Sequence, residues 1–147
     1  MFEIQFFVDG EPAKAGSKSA FPFRRKNGKL GVSVVHADPK AKKWMKKVGE
    51  IAAKMMGGKG PVSEALHLET VFYLPRPQSH LDKKKDKVKD TAPLRHVTRP
   101  DLTKLLRAVE DGLKGVVWND DSQVCMQTSR KQYGSPLGVM VRIRSVD

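Results

Sequence analysis

Apolar positions recur every three or four residues within the stretch 99–124. They are Leu102, Leu105, Leu106, Val109 and Leu113. This spacing follows the 3.6-residue period of an α-helix and predicts one apolar stripe that faces a core. Pro100 suits the entry of such a helix, and Gly112 and Gly115 suit its exit. We therefore predict a helix that begins near Asp101, followed by a loop.

A second helical pattern covers residues 39–56. Asp38 and Pro39 supply a cap and a first helical position. The predicted apolar stripe consists of Trp44, Val48, Ile51, Ala52 and Met55. Lysines crowd the first half of this helix, where basic charge opposes the helix dipole. That placement suggests a role beyond stability, such as lying along phosphates.

Alternating apolar and polar residues predict strands elsewhere. The predicted strands are residues 2–8, 65–74, 123–130 and 137–145. Residues 20–36 are typical of a hairpin that turns at Asn27-Gly28. With two main helices, this order predicts an α+β fold with a mixed or antiparallel sheet. The length of 147 residues favours a single domain, 1–147.

Residues 75–98 interrupt the regular pattern. The prolines Pro75, Pro77 and Pro93 bracket a segment that is too polar to bury and long for a loop. We predict a flexible basic insertion, either a mobile loop or a short exposed helix that orders on DNA. A merely solvated insertion is the alternative. His96, at its end, is expected to be an ordinary loop histidine.

The charge of the chain is strongly positive. It has 28 Lys and Arg against 16 Asp and Glu, a formal net charge of +12. Such an excess is typical of a polyanion binder, and nucleic acid is favoured here over anionic membrane surfaces. No apolar run is long enough for a membrane span, and no signal-peptide pattern is present. We therefore expect a cytoplasmic protein with no membrane partner.

The one cysteine, Cys125, excludes an internal disulfide and a cysteine-rich zinc site. Its place in a predicted strand suggests a small, buried hydrophobic residue.

Basic side chains gather where loops and turns are predicted, and such positions suit contacts with phosphates. The candidate DNA-binding residues are Lys14, Lys18, Arg24, Arg25, Lys83, Lys84, Lys85 and Lys104. Solvated loops and a solubilising hairpin tip remain the alternatives.

Acidic residues cluster against this basic background. Asp101 lies in the first turn of the predicted helix, and Asn119-Asp120-Asp121 follows in the loop. Carboxylates that converge repel each other, and a divalent cation relieves the repulsion. A helix cap and an ordinary turn are the usual explanation of such residues.

The motif Pro-Asp-Leu-x-x-Leu-x-x-Ala-x-x-Asp-x-Leu, followed by Trp-x-Asp-Asp-x-Gln-Val, resembles the RusA family of Holliday-junction resolvases. Asp101 matches the first family aspartate, and Asp120 and Asp121 match the later pair, whose second member is catalytic. Arg107 occupies the place of an essential lysine. Thr103 replaces the second family aspartate, and a hydroxyl is a far weaker Mg²⁺ ligand than a carboxylate.

The resemblance implies a dimeric, Mg²⁺-dependent endodeoxyribonuclease that resolves four-way DNA junctions by paired nicks. It would act in recombination, repair or phage DNA processing, with Mn²⁺ as a possible substitute and no organic cofactor. The implied catalytic residues are Asp101, Asp121 and Arg107. The implied metal ligands are Asp101, Asp120 and Asp121.

Three other functions stay open at this point. One is a non-catalytic DNA-binding protein on the same fold, and another is a metal-dependent nuclease for other branched or duplex DNA. The third is a basic module that binds RNA or a membrane surface, which leaves the carboxylates unexplained.

Overall fold

A four-stranded mixed sheet packs against two helices. The computed structural model describes residues 1–16, 18–36 and 38–147, without the side chains of residues 18–21 and 33–36. The strands are β1 (Glu3–Asp9), β2 (Lys18–Arg24), β3 (Leu30–His36), β4 (Leu66–Leu74), β5 (Leu81–Asp82), β6 (Lys87–Val88), β7 (Val124–Tyr133) and β8 (Gly138–Ser145). The helices are α1 (Pro39–Met56) and α2 (Leu102–Leu113). The predicted α+β class with two main helices is confirmed.

The order of strands in the main sheet is β1-β8-β4-β7. β8 is antiparallel to both of its neighbours, whereas β4 and β7 run parallel. Alternate residues of these strands face the helices and form one core with them. Because α2 lies in the chain between the parallel strands β4 and β7, it connects two neighbouring strands of the sheet.

Helix α1 has the predicted bounds. Asp38 Oδ1 accepts a hydrogen bond from the Lys40 backbone N–H at 2.9 Å, and Gly57 ends the helix with a φ of 61°. The predicted stripe needs one correction, because Met56 is buried whereas Met55 is exposed.

The two helices cross at a pair of glycines. A Cβ at Gly112 would lie 2.7 Å from the Met45 carbonyl oxygen, and a Cβ at Gly49 would lie 2.9 Å from the Gly112 carbonyl oxygen. Gly112 therefore lies within α2 and allows close helix packing, whereas the sequence pattern placed it at the exit. Gly115, with a φ of 82°, follows the helix as expected.

The predicted hairpin of residues 20–36 is formed by β2 and β3, and the Arg25 backbone N–H bonds to the Lys29 carbonyl across the turn.

Residues 75–98 contain a short 3₁₀ turn, Gln78–His80, and the small hairpin β5–β6. Three side chains of this segment, Arg76, His80 and His96, pack on the Tyr133 ring at the end of β7. His96 lies in a loop, as expected, and its ring is buried. Flexibility of the segment and its ordering on DNA stay predictions.

Cys125 lies on β7, which is at one edge of the main sheet, and its side chain is exposed. The expectation of a buried cysteine is therefore wrong, because this strand has a neighbour on one side only. Within the described part of the chain, neither helix is long and apolar enough to cross a bilayer.

Candidate active site

Asp101 stands at the N-cap position of α2, yet its carboxylate makes no capping hydrogen bond. Its backbone carbonyl accepts the first helical bonds, from Lys104 and Leu105. The carboxylate is 62% exposed, and its Oδ2 lies 3.8 Å from the Lys104 Nζ. Because the Asp101 carboxylate accepts no hydrogen bond from the helix N–H groups, its oxygens remain available to a ligand.

The first turn of α2 is fixed from two directions. The Ala15 backbone N–H donates to the Lys104 carbonyl at 3.0 Å, which attaches the loop after β1. On the other side, Lys131 Nζ donates to the carbonyls of Thr98 and Pro100 at 2.7 and 2.9 Å. These bonds set the position of Asp101 relative to both the basic loop and β7.

The Asp120-Asp121 loop is rigidly built. Asp120 Oδ1 accepts from the Ser122 N–H at 2.9 Å, and the Gln123 side chain accepts from the Asp120 N–H at 3.0 Å. The hydrogen bonds from Ser122 lower the pKa of Asp120. The buried Trp118 donates from its indole Nε1 to Asp121 Oδ1 at 2.9 Å. Asp120 therefore holds the loop, and Trp118 orients Asp121.

Glu110 lies near the candidate site residue Asp121, and the sequence did not single it out. It is half-buried on α2, and its Oε1 accepts from Gln127 Nε2 at 2.9 Å. Burial raises the pKa of Glu110, and the nearby charges of Asp121 and Asp111 raise it further. Its place beside the apolar stripe of α2 was the one sequence signal for this partial burial.

Within one chain, Asp101 and Asp121 lie toward opposite ends of α2. Asp121 lies near Glu110, and Asp101 is roughly 13 Å from Glu110 along the helix axis at 1.5 Å per residue. Across the described residues, no group of three or more His, Cys, Asp or Glu side chains is placed to hold a metal ion. The carboxylates of one chain therefore do not fit a three-carboxylate Mg²⁺ site.

The predicted basic residues occupy several surfaces. Arg24 and Arg25 are exposed on the β2–β3 hairpin, and Lys83–Lys85 are exposed at the β5–β6 turn. Lys14 is half-buried in the loop after β1, and Lys104 pairs with Asp101. Arg107 is exposed on α2, where its charge lowers the pKa of Glu110. The side chain of Lys18, on β2, lies outside the described residues.

Comparison with known proteins decides the family. A sequence profile described as "Endodeoxyribonuclease RusA" matches residues 12–144. The chain belongs to the RusA endodeoxyribonuclease family. A relative from Bacillus subtilis (strain 168), "Uncharacterized protein YqaN", is 30% identical over 145 residues, which are 97% of this chain and 96% of the relative.

The RusA match confirms the resemblance and covers both helices, the basic loop after β1 and most of the sheet. It implies a nuclease of a family that acts on branched DNA and is generally dependent on divalent metals.

Proposed function

We propose that this RusA-family protein is a Mg²⁺-dependent endodeoxyribonuclease that resolves four-way DNA junctions by paired nicks. Recombination, repair or phage DNA processing would supply such junctions, and Mn²⁺ is a possible substitute. The observation that carries the proposal is the Asp101 carboxylate, which makes no cap hydrogen bond and lies at the start of the family motif beside Lys104.

In this proposal Asp101 and Asp121 are the catalytic carboxylates. Asp120 is a metal ligand or the residue that orients the loop, and its hydrogen bonds to the Ser122 backbone support the orienting role. Arg107 contacts the scissile phosphate with its guanidinium fork, and Lys104 is a second phosphate contact. Positive charge held beside the reacting phosphate favours the transition state, in which negative charge builds on oxygen.

We further propose a homodimer whose metal ligands come from two chains. The separation of Asp101 from Asp121 within one chain supports this arrangement. If a two-fold axis sets two α2 helices side by side and antiparallel, the start of each helix meets the end of the other. Asp101 of one protomer then approaches Asp121 of its partner, at two equivalent places that suit two symmetric nicks.

Substrate binding in this proposal rests on phosphate contacts and not on base readout. The loop after β1, the β2–β3 hairpin and the β5–β6 turn each carry exposed or half-buried cations. Contacts of this kind weaken steeply with salt because binding releases counterions from the DNA.

The test is Mg²⁺-dependent nicking of a synthetic four-way junction beside a linear duplex of matched sequence. Asp101→Asn and Asp121→Asn serve as the inactive variants, with gel-shift binding measured in parallel. We expect paired nicks on the junction alone, and their loss in both variants with binding retained. Equal cleavage of both substrates would discard junction specificity while keeping the nuclease.

A non-catalytic DNA-binding protein on the same fold is the second candidate. Thr103 in place of a family carboxylate favours it. This candidate predicts tight junction binding without cleavage in Mg²⁺ or Mn²⁺, and binding that is indifferent to the two Asp→Asn substitutions.

A further inference from the structure

The hairpin β2–β3 carries large apolar side chains that are open to solvent. Its two strands form a sheet of their own, apart from the main sheet. Residues 22–30 and Val32 are exposed, and the exposed fractions of Phe23, Leu30 and Val32 are 44%, 71% and 66%. Large apolar side chains that gather on a surface in this way typically mark a binding site. The hairpin therefore presents apolar surface to a partner.

These apolar side chains lie on both faces of the hairpin. Leu30 and Val32 are two residues apart on β3, so they share one face. Phe23 pairs with Gly31, the residue between them, and so lies on the other face. A ribbon that lies in a DNA groove or on a membrane turns only one face to its partner. Apolar side chains on both faces suit an element with a partner surface on each side.

The charge of the hairpin selects a polyanion as that partner. Four cations flank the apolar side chains, and these are Arg24, Arg25, Lys26 and Lys29. The sequence contains no Asp or Glu from position 12 to position 37. Two copies of this hairpin would repel each other, which disfavours a contact between the hairpins of two protomers. Nucleic acid offers both properties, because its bases have apolar faces and its phosphates are negative.

The faces of base pairs are not equally available in all forms of DNA. In a linear duplex, each internal pair is covered on both faces by its neighbours, and opening a step costs energy. The arms of a four-way junction end at the branch point, so the end pairs are uncovered there at the least cost. Apolar side chains such as Phe and Leu replace the lost stacking in proteins that kink DNA. The branch point therefore fits a ribbon with two apolar faces.

The hairpin is also attached next to the candidate active site. The Ala15 backbone N–H donates to the Lys104 carbonyl at 3.0 Å, and β2 begins shortly afterwards at Lys18. The hairpin thus leaves the protein beside the first turn of α2, which follows Asp101. DNA that meets the hairpin is in this way brought to the side of the molecule that carries Asp101.

We infer that the β2–β3 hairpin enters the branch point of the DNA and packs its apolar side chains on the faces of the end base pairs. Phe23 contacts one arm, and Leu30 and Val32 contact another. The inference rests on the proposed DNA substrate and names the element that distinguishes branched from linear DNA.

The first experiment removes apolar contact and keeps every charge. Leu30→Thr/Val32→Thr retains the tendency to form a strand, because threonine is also β-branched. The matched control, Leu94→Thr/Val97→Thr, changes the same residue types at positions that are 77% and 79% exposed outside the hairpin. Binding of the full chain to a four-way junction and to a linear duplex is measured without divalent metal over a series of salt concentrations.

The hairpin variant should bind the junction roughly tenfold more weakly and the duplex less than twofold more weakly. The slope of affinity against salt should stay unchanged, because the cations are all kept. The control should bind both forms of DNA as the wild type does. Unchanged junction affinity, or equal losses for junction and duplex, would overturn the inference.

A second variant tests the contact directly and does not depend on a loss of binding. Phe23→Trp keeps an aromatic ring and places a fluorophore on the hairpin, while the two native tryptophans, Trp44 and Trp118, are buried. Its fluorescence, after subtraction of the wild-type signal, should be quenched by the junction and not by the duplex, because stacked bases quench indole. Absence of quenching at saturating junction would contradict the contact.

Two other partners are outcomes of the same tests. Loss of the dimer in the hairpin variant, seen by light scattering, with unchanged DNA binding by the remaining monomer would assign the apolar side chains to a second copy of the chain. Loss of binding to anionic vesicles with unchanged junction affinity would assign them to a membrane. Either result would overturn the inference.

Nicking in Mg²⁺, measured on the same proteins, separates this inference from the proposed function. Wild-type junction cleavage combined with unchanged junction affinity in the hairpin variant refutes the inserted hairpin and leaves the nuclease intact. Hairpin-dependent preference for the junction without any cleavage supports the hairpin and removes the catalytic proposal.

Discussion

Aspartates begin three helical turns of this chain, and they use their carboxylates differently. Asp38 and Asp120 each accept a backbone N–H at 2.9 Å, as capping residues do. Asp101 holds the same position on α2 and makes no such bond. A carboxylate that makes no capping hydrogen bond can bind a ligand. The missing bond therefore distinguishes Asp101 from the two capping aspartates.

Replacing Asp38 and Asp101 in turn should separate an effect on stability from an effect on activity. Asp38→Ala should lower the free energy of unfolding by about 1 kcal/mol, because one cap is lost. Asp101→Ala should change it by less than about 0.5 kcal/mol and abolish nicking. Urea unfolding and the junction assay measure the two effects. A large loss of stability in Asp101→Ala would show that Asp101 is structural.

The indole of Trp118 offers a second test at this scale. Trp118→Phe removes the N–H that holds Asp121 and keeps an aromatic ring in the core. Partners that orient a ligating carboxylate are typically worth about 10- to 100-fold, so junction nicking should fall within that range. Activity should recover partly at higher Mg²⁺ concentration. Unchanged nicking would indicate that Trp118 acts in packing alone.

The sequence could identify the candidate carboxylates but not their neighbours. Asp101, Asp120 and Asp121 stand out because acidic residues are conspicuous in a basic chain. The proximity of Glu110 to Asp121, and the distance from Asp101 to Asp121, depend on how β7 lies along α2. No local pattern encodes that packing.

At the scale of elements, the close crossing of α1 and α2 depends on Gly112, which has no side chain. Gly→Ala usually stabilises the interior of a helix. Gly112→Ala should instead cost about 1–3 kcal/mol, because the new methyl group would meet the Met45 carbonyl and Val48. Chemical denaturation measures the change. Gly60→Ala, at a loop position with open space around it, is the control and should be nearly neutral.

The packing of His96 on Tyr133, which holds segment 75–98 against β7, should weaken in acid. Burial lowers the pKa of His96 from its ordinary 6.5, and the charge of Lys131 lowers it further. The neutral ring is therefore favoured in the folded protein, while the unfolded chain takes up the proton more readily. The stabilisation is complete above pH 6.5 and is lost as the pH falls below that value.

We accordingly expect the melting temperature to drop more between pH 7.5 and pH 5 in wild-type protein than in His96→Phe. The variant keeps a ring on Tyr133 but cannot be protonated. Equal drops in the two proteins would mean that His96 does not couple this segment to pH.

Elements with local signals were predicted well. The bounds of α1 follow from residues next to its two ends, which are Asp38 and Pro39 at the start and Gly57 after the last turn. The exposure of Cys125 and the burial of His96 follow from the edge position of β7 and from the packing on Tyr133. Those contacts join residues far apart in the chain, so no sequence window contains them.

For the whole molecule, the proposed two-chain site predicts the activity of a mixed dimer. Asp101→Asn and Asp121→Asn homodimers should both be inactive. A mixed dimer of the two variants should regain about half of the wild-type nicking rate, because one of its sites then carries both substitutions and the other carries none. Differently tagged chains allow the mixed dimer to be purified.

Sites contained within one chain would leave that mixed dimer inactive, and the shared-site proposal would then be wrong. A mixed dimer that nicks at about half of the wild-type rate, and makes single instead of paired nicks in each binding event, would support the shared-site proposal.

The fold class followed from the order of predicted elements, yet the strand order did not. Alternation shows that a segment is a strand and which of its residues share a face, but not which strand lies beside it. The parallel pairing of β4 with β7 sets the path of α2, and this path keeps the two catalytic candidates apart.

The position of β8 in the sheet affects how the protein folds during synthesis. This strand is the last along the sequence to join the sheet, yet it lies between β1 and β4. The contacts that complete the sheet thus span most of the chain, and such high contact order is associated with slow folding. A nascent chain that has not yet reached Gly138 lacks the middle of its sheet, so β1 has no strand to pair with. The main sheet, and the packing of α1 and α2 on it, is therefore completed only after the last strand has been made.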